Sequence, residues 1–320
     1  MPVDLRILIP PRRPVTHPML NPATNPPVPD PEAARPAAMN ARGSSIPTGV
    51  PDFDSITGGL PAGSVVLLWG EAGAGAAEFA VTSAVHLMLR YDDPERHRRF
   101  LGGAPGPFAY PRGVVYISVT RSEPQVFSEI EAAFDPSYAR TLADHTRFED
   151  LSTDYFQDTA VPGAWASLDR PLLQSAPSSR GALRGPVRRL VEILDRDGSQ
   201  NLILLDSLTD LLVRPGTDPL EILTFLKGLR RQAKQWGGLV YLFLTRGVVA
   251  PSTEQAVVDS VDGVLSFRWS VSPTLTQRRR ALLVEKFLPV LARIPEERQG
   301  RFVLRLDPGT GLVTTQHERI

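Results

Sequence analysis

Apolar residues in this chain recur in two rhythms. Near-continuous apolar runs at 65–69, 114–119, 202–205 and 239–244 predict strands covered on both faces, since a strand with one face in water would alternate apolar and polar positions. Helical periodicity fills the intervals at 78–90, 123–134, 186–195 and 219–236. Strands and helices taking turns in this way predict an α/β fold with a largely parallel sheet. The helix at 219–236 is the best specified: Asp218 caps it, Pro219 suits its first turn, Glu221 completes a capping box and Gly237 ends it. Ile222, Leu226, Leu229, Ala233 and Trp236 form its apolar stripe, and Lys227, Arg230, Arg231 and Lys234 its solvated side.

From Asp262 onward, strand-like segments alternate with turns such as Asp307-Pro308-Gly309-Thr310-Gly311, which predicts antiparallel strands extending one edge of the sheet. No internal repeat is present, so a tandem pair of domains is not expected. Two stretches break the rhythm, 91–112 (Gly, Pro and Arg) and 157–185 (Pro, Ser and Arg), and both read as surface loops or insertions. Residues 1–45 are dense in proline with little apolar periodicity, which predicts a disordered tail sampling polyproline-like states. The expected organisation is therefore a tail over 1–45 and one domain over 46–320.

Composition narrows the chemistry. Lys plus Arg and Asp plus Glu balance at 35 each, against a protein whose main task is to coat a nucleic-acid backbone. With no cysteine, disulfides, thiolate metal sites and cysteine nucleophiles are excluded, and a reducing cytoplasm is the compatible location. No apolar stretch approaches the ~20 residues that cross a bilayer, so a membrane is not an expected partner. His17, His86, His97, His145 and His317 lack metal-ligand spacing. No G-x-S-x-G elbow supports a hydrolase reading, and Arg278-Arg279-Arg280 reads as a solvated hairpin turn.

The informative segment runs from Ile46 to Phe79, where a strand, a Gly-rich turn and a helix follow in the order a phosphate-binding loop demands. In such a loop, main-chain N–H groups at a helix N-terminus form a concave anion site, and glycines let the backbone approach the phosphates. The turn here is Gly70, Glu71, Ala72, Gly73, Ala74, Gly75, followed by Ala76 and Ala77. Hydrolysis needs a lysine and then a Ser or Thr hydroxyl directly after the last glycine. Both of those positions are alanine.

The block Pro47-Thr48-Gly49-Val50-Pro51, Asp52-Phe53-Asp54 and Gly58-Gly59-Leu60-Pro61-Ala62-Gly63-Ser64 resembles the opening signature of KaiC and RadA relatives, P-loop ATPases of the RecA superfamily. That likeness implies a RecA-like sheet flanked by helices and covers roughly 46–313, insertions excepted. Leu202–Leu208 is similar to the family's second signature, which implies that Asp206 orients a magnesium shell. Glu71 is compatible with the family, because some RadA-type relatives have Glu at the same place.

The departures are chemical: Ala76 and Ala77 form a degenerate Walker A motif, and Thr120 and Arg121 stand where KaiC-like members have water-activating glutamates. Glu123 reads as a first-turn acidic residue of the next helix. The family's Lys-x-Arg pair, which reaches a neighbouring subunit's nucleotide, is matched only by Lys286, with Leu288 at the arginine position.

The resemblance thus implies a degenerate regulatory or assembly protein with an unnamed protein partner, binding ATP with magnesium weakly if at all. One alternative is a residual ATPase working as a homo-oligomer, in which Arg121 or a neighbour's Lys286 replaces the missing cation. The other is a DNA recombination or repair accessory, disfavoured by neutral charge and by the single basic residue in 246–258.

Overall fold

Residues 64–70 show how the sequence builds its central layer. The computed structural model describes residues 44–101, 107–157, 159–166, 185–271, 278–294 and 300–319. The short strands β1 (Ser45–Ile46) and β2 (Leu60–Pro61) pair antiparallel around helix α1 (Pro51–Thr57). Strand β3 (Ser64–Gly70) then leads through the Gly-rich turn into α2 (Ala76–Asp92), followed by α3 (Pro94–Leu101). Next come β4 (Val114–Ser118), α4 (Glu123–Ala133), α5 (Pro136–His145), β5 (Thr146–Asp150), α6 (Ser152–Phe156), α7 (Gly163–Ala166) and α8 (Pro186–Asp197). The chain continues with β6 (Leu202–Asp206), α9 (Leu208–Val213), α10 (Pro219–Trp236), β7 (Leu239–Thr245), α11 (Pro251–Ser260) and β8 (Gly263–Val271). It closes with β9 (Arg278–Lys286), α12 (Leu288–Leu291), β10 (Gly300–Asp307) and β11 (Gly311–Arg319).

The nine-stranded sheet has the order β11-β10-β9-β8-β3-β7-β6-β4-β5. Neighbours from β5 to β8 run parallel, and β9, β10 and β11 extend the sheet antiparallel. Because strand side chains alternate between faces, Val66 and Leu68 join one apolar layer with Phe79, Leu87 and Met88 of α2. Val65 and Leu67 join the other, with Ile203, Leu205, Leu226 and Leu229. Each fully buried side chain of this size contributes about 1.5–3 kcal/mol, so β3, buried throughout, anchors both layers.

All four expected strands and all four expected helices are present, and α10 has the expected bounds. Asp218 caps α10 by accepting from the Leu220 N–H at 2.9 Å, and Gly237 ends it in the left-handed region. Three expectations need correction. Arg230 and Lys234 are not merely solvated: both pair with Asp262, at 2.9 and 3.2 Å, in the turn just before β8. Arg278-Arg279-Arg280 is not a turn but the first part of β9.

The stretch 91–112 holds α3, fixed by His97, whose Nδ1 lies 2.7 Å from the His86 carbonyl oxygen, and by Phe100, whose ring stacks on His86 at 3.8 Å. Its many arginines masked those two inward contacts. The expected tail lies outside the described residues except for Ser44 and Ser45, as does most of 157–185.

Candidate functional site

The block before the turn is a hydrogen-bonded knot. Asp54 on α1 is fully buried; one carboxylate oxygen accepts from the Thr48 N–H and hydroxyl, and the other from the Gly49 N–H, each at 2.8 Å. Burial pushes its pKa up to about 7, although those three donors favour the charged form. The Gly49 carbonyl meets His86 Nδ1 at 2.6 Å, and His86 Nε2 meets the Tyr138 hydroxyl at 2.8 Å. In the neutral ring this makes Nδ1–H the donor and Nε2 the acceptor. Burial lowers the His86 pKa to about 4. Gly49 has φ +78°, and a Cβ there would lie 2.6 Å from the His86 Cβ, so the position demands glycine on two counts.

The Gly-rich turn follows at the carboxyl edge of β3. The Glu71 N–H bonds the Phe267 carbonyl and the Ala74 N–H the Glu71 carbonyl, both at 3.0 Å, while the Arg246 N–H bonds the Gly70 carbonyl at 2.8 Å. Gly73 and Gly75 take φ of +70° and +115°, and Gly75 is the N-cap of α2. Among the described residues, no acceptor takes the N–H groups of Gly73, Gly75, Ala76 or Ala77. The turn therefore keeps the amide arrangement that suits an anion.

Strands β8 and β9 brace it from the side. Trp269 donates its main-chain N–H to the Glu71 carboxylate at 3.2 Å and its indole N–H to the Ala72 carbonyl at 3.1 Å. Arg280 pairs with Glu78 in the first turn of α2 at 3.2 Å, and the Arg278 guanidinium lies 4.2 Å over the Trp269 ring. The arginine cluster expected to be solvated is thus engaged at the turn. The β8–β9 register, which sets Trp269 opposite Arg280, explains the contact and was invisible in sequence.

Asp206 ends β6, in register with Ser118 of β4. One of its carboxylate oxygens accepts from the Tyr116 hydroxyl at 2.7 Å and also from the Arg121 guanidinium. Arg121 reaches Glu129 with its other terminal nitrogen. Burial disfavours the charge on Arg121, but Asp206, Tyr116 and Glu129 outweigh it and hold the guanidinium ionised well above its ordinary range. Burial, followed by the Asp206 charge, pushes the Tyr116 hydroxyl far up.

A divalent cation does not fit these groups: an Asp206 oxygen is committed twice, and Ala77 offers no oxygen ligand. No cluster of three or more His, Asp or Glu among the described residues is placed to hold a metal. Phosphate oxygens, by contrast, suit the turn's amides.

The remaining sequence candidates fall elsewhere. Lys286 donates to the carbonyls of Val258, Asp259 and Val261 at 2.8, 3.0 and 2.8 Å, so it caps the end of α11 within its own chain. Burial lowers its pKa. Leu288 is exposed in α12. Glu123 opens α4, behind a Ser122–Gln125 capping box. Arg246, the basic residue of 246–258, turns inward, with its guanidinium 3.7 Å over Trp69.

No protein-family model matches this sequence, and no curated protein does. Solved structures do match. One is the crystal structure of a KaiC-like protein from the hyperthermophilic archaeon Pyrococcus horikoshii OT3, similar at TM-score 0.54 and 15% identity over 85% of this chain and 99% of that one. No helix among the described residues is long and apolar enough to cross a membrane. At 15% identity the likeness carries the fold alone, and that fold is RecA-like: a mostly parallel sheet flanked by helices, extended by C-terminal antiparallel strands.

Proposed function

We propose that this chain is a degenerate KaiC-like P-loop protein with a regulatory or assembly role, which hydrolyses ATP weakly or not at all. The observation that carries this reading is Ala76 and Ala77 opening α2 directly after the last glycine of the turn. Two methyl groups neither neutralise the β- and γ-phosphates nor ligate magnesium. Loss of a charged donor there removes about 1.5–3 kcal/mol of binding, roughly 10- to 100-fold in affinity. The amides of the turn support weak anion binding, so ATP remains the ligand in view, with little contribution from magnesium. A protein partner, and assembly with further copies of this chain, belong to the same proposal. The DNA-accessory reading loses support from the inward-turned Arg246.

The test is turnover. Purified protein with ATP and magnesium is expected to release no phosphate above background. Release that disappears in Asp206→Ala would overturn the reading. Arg280 favours the second reading, a residual ATPase, because it brings a cation to the first turn of α2 from within the chain. Turnover abolished by Arg280→Ala would select it.

A further inference from the structure

The carboxyl end of β6 holds a charge arrangement that the degenerate turn alone does not explain. Arg121 follows β4, whose Ser118 stands in register with Asp206, and the main chain sets its direction: the Arg121 N–H bonds the Ser118 hydroxyl at 3.0 Å and the Val119 N–H bonds the Asp206 carbonyl at 2.7 Å. Its guanidinium then spans Asp206 and Glu129 and lies 3.4 Å from the Tyr116 hydroxyl. Burial raises the pKa of Asp210, in the first turn of α9, and the Asp206 charge raises it further while Arg121 opposes. One tethered cation therefore bridges carboxylates on two elements, β6 and α4.

We infer that Arg121 is a built-in substitute for a divalent cation at this edge, compensating Asp206 and Glu129 from within the chain, so that neither magnesium nor manganese binds there. This deepens the non-hydrolytic reading above and rests on it. Two physical arguments support it. Magnesium demands near-octahedral oxygen ligands at about 2.0–2.1 Å, and here the Asp206 oxygen already accepts from a guanidinium and a phenol. A tethered cation also competes at an effective concentration of order millimolar or more without having to be captured from solution. With the side chains of Asp206 and Arg121 17% and 33% exposed, their attraction is screened less than that of an open surface pair.

The experiment titrates the full chain with manganese alone, followed by paramagnetic resonance of the free ion, alongside urea denaturation. Wild type is expected to bind no manganese up to about millimolar concentration, as expected for a committed site. Arg121→Ala is expected to raise the unfolding constant at least about tenfold, ~1.4 kcal/mol, and to acquire manganese binding. Arg121→Ala with Asp206→Asn is expected to recover stability and lose the manganese.

Manganese bound by wild type and abolished by Asp206→Asn would overturn the inference. So would an Arg121→Ala protein as stable as wild type and silent to manganese. Should Arg121→Ala fail to fold, the double variant must fold; if it does not, charge compensation is not what Arg121 supplies. None of these readouts involves nucleotide turnover, so this inference and the functional reading fail separately.

Discussion

The block that precedes the Gly-rich turn and the carboxyl edge of the sheet around it are held together in very different ways. In the block before the turn, Asp54 accepts from Thr48 and Gly49, and the Gly49 carbonyl links the block to His86 of α2 and through it to Tyr138 of α5, all inside the core. At the carboxyl edge of the sheet, Ala76 and Ala77 offer no polar side chain, and Arg121 pairs with Asp206. The difference separates architecture from chemistry. A buried carboxylate serving three donors has no cheap replacement, since each donor left unpaired costs about 1–3 kcal/mol. Partly exposed edge positions tolerate replacement once charge is balanced, and Arg121 balances Asp206. The block before the turn is thus a folding device whatever the chemistry of the edge.

If that contrast is right, Asp54→Ala should cost far more than Asp206→Ala. Asp54→Ala strands the Thr48 and Gly49 donors in the core and is expected to destabilise by about 3–5 kcal/mol. Asp206→Ala leaves Arg121 with Glu129 and water, for about 1–2 kcal/mol. Urea midpoints in the reverse order would break the comparison. Gly49→Ala comes next: a left-handed backbone adds about 1–2 kcal/mol and crowding against His86 about 1–3 kcal/mol. An alanine variant as stable as wild type would mean that the loop relaxes away from His86.

Legibility in the sequence follows the same division. Doubly covered strands announce themselves as apolar runs, and α10 is delimited by Asp218 and Gly237, so the architecture was readable. Edge strand β5 was not, because Thr146–Asp150 carries polar side chains and spends Arg147 and Glu149 on ion pairs with each other, Arg196 and Asp197. The places of the Gly-rich turn after β3 and of Asp206 at the end of β6 were legible from their order. What fills the site was not: the Arg121–Asp206 pair depends on the β4–β6 register and the Trp269–Arg280 brace on the β8–β9 register. Register is a long-range property that local pattern does not contain.

Acid titration sharpens the upstream half of the comparison. Folded Asp54 titrates near 7 rather than 3.8, and folded His86 near 4 rather than 6.5. Between those limits folded Asp54 keeps a proton that the unfolded chain releases, so its contribution grows on acidification. Folded His86 lacks a proton that the unfolded chain takes up, so its contribution shrinks. The two slopes oppose each other in the wild type. Asp54→Asn is expected to lose stability as pH falls from 6.5 toward 4, and His86→Gln to gain it, each by about 1 kcal/mol per pH unit at most. Denaturation series in which both variants keep the wild-type slope would show that neither group sets the pH dependence.

The smallest expected effect tests the downstream half. If only chemistry was lost at the turn, Ala76→Lys with Ala77→Thr should restore nucleotide affinity on a scaffold that already has Gly73 and Gly75 in left-handed geometry and Gly75 capping α2. At a nucleotide concentration near the dissociation constant, binding adds only about 0.4 kcal/mol, a melting shift of about 1–2 °C for a domain of this size. The shift should grow with concentration and be absent from wild type over the same range. It should depend little on magnesium while Arg121 still holds Asp206. No shift at any concentration would mean that the Trp269 brace on Glu71 and Ala72 closes the turn to ligand.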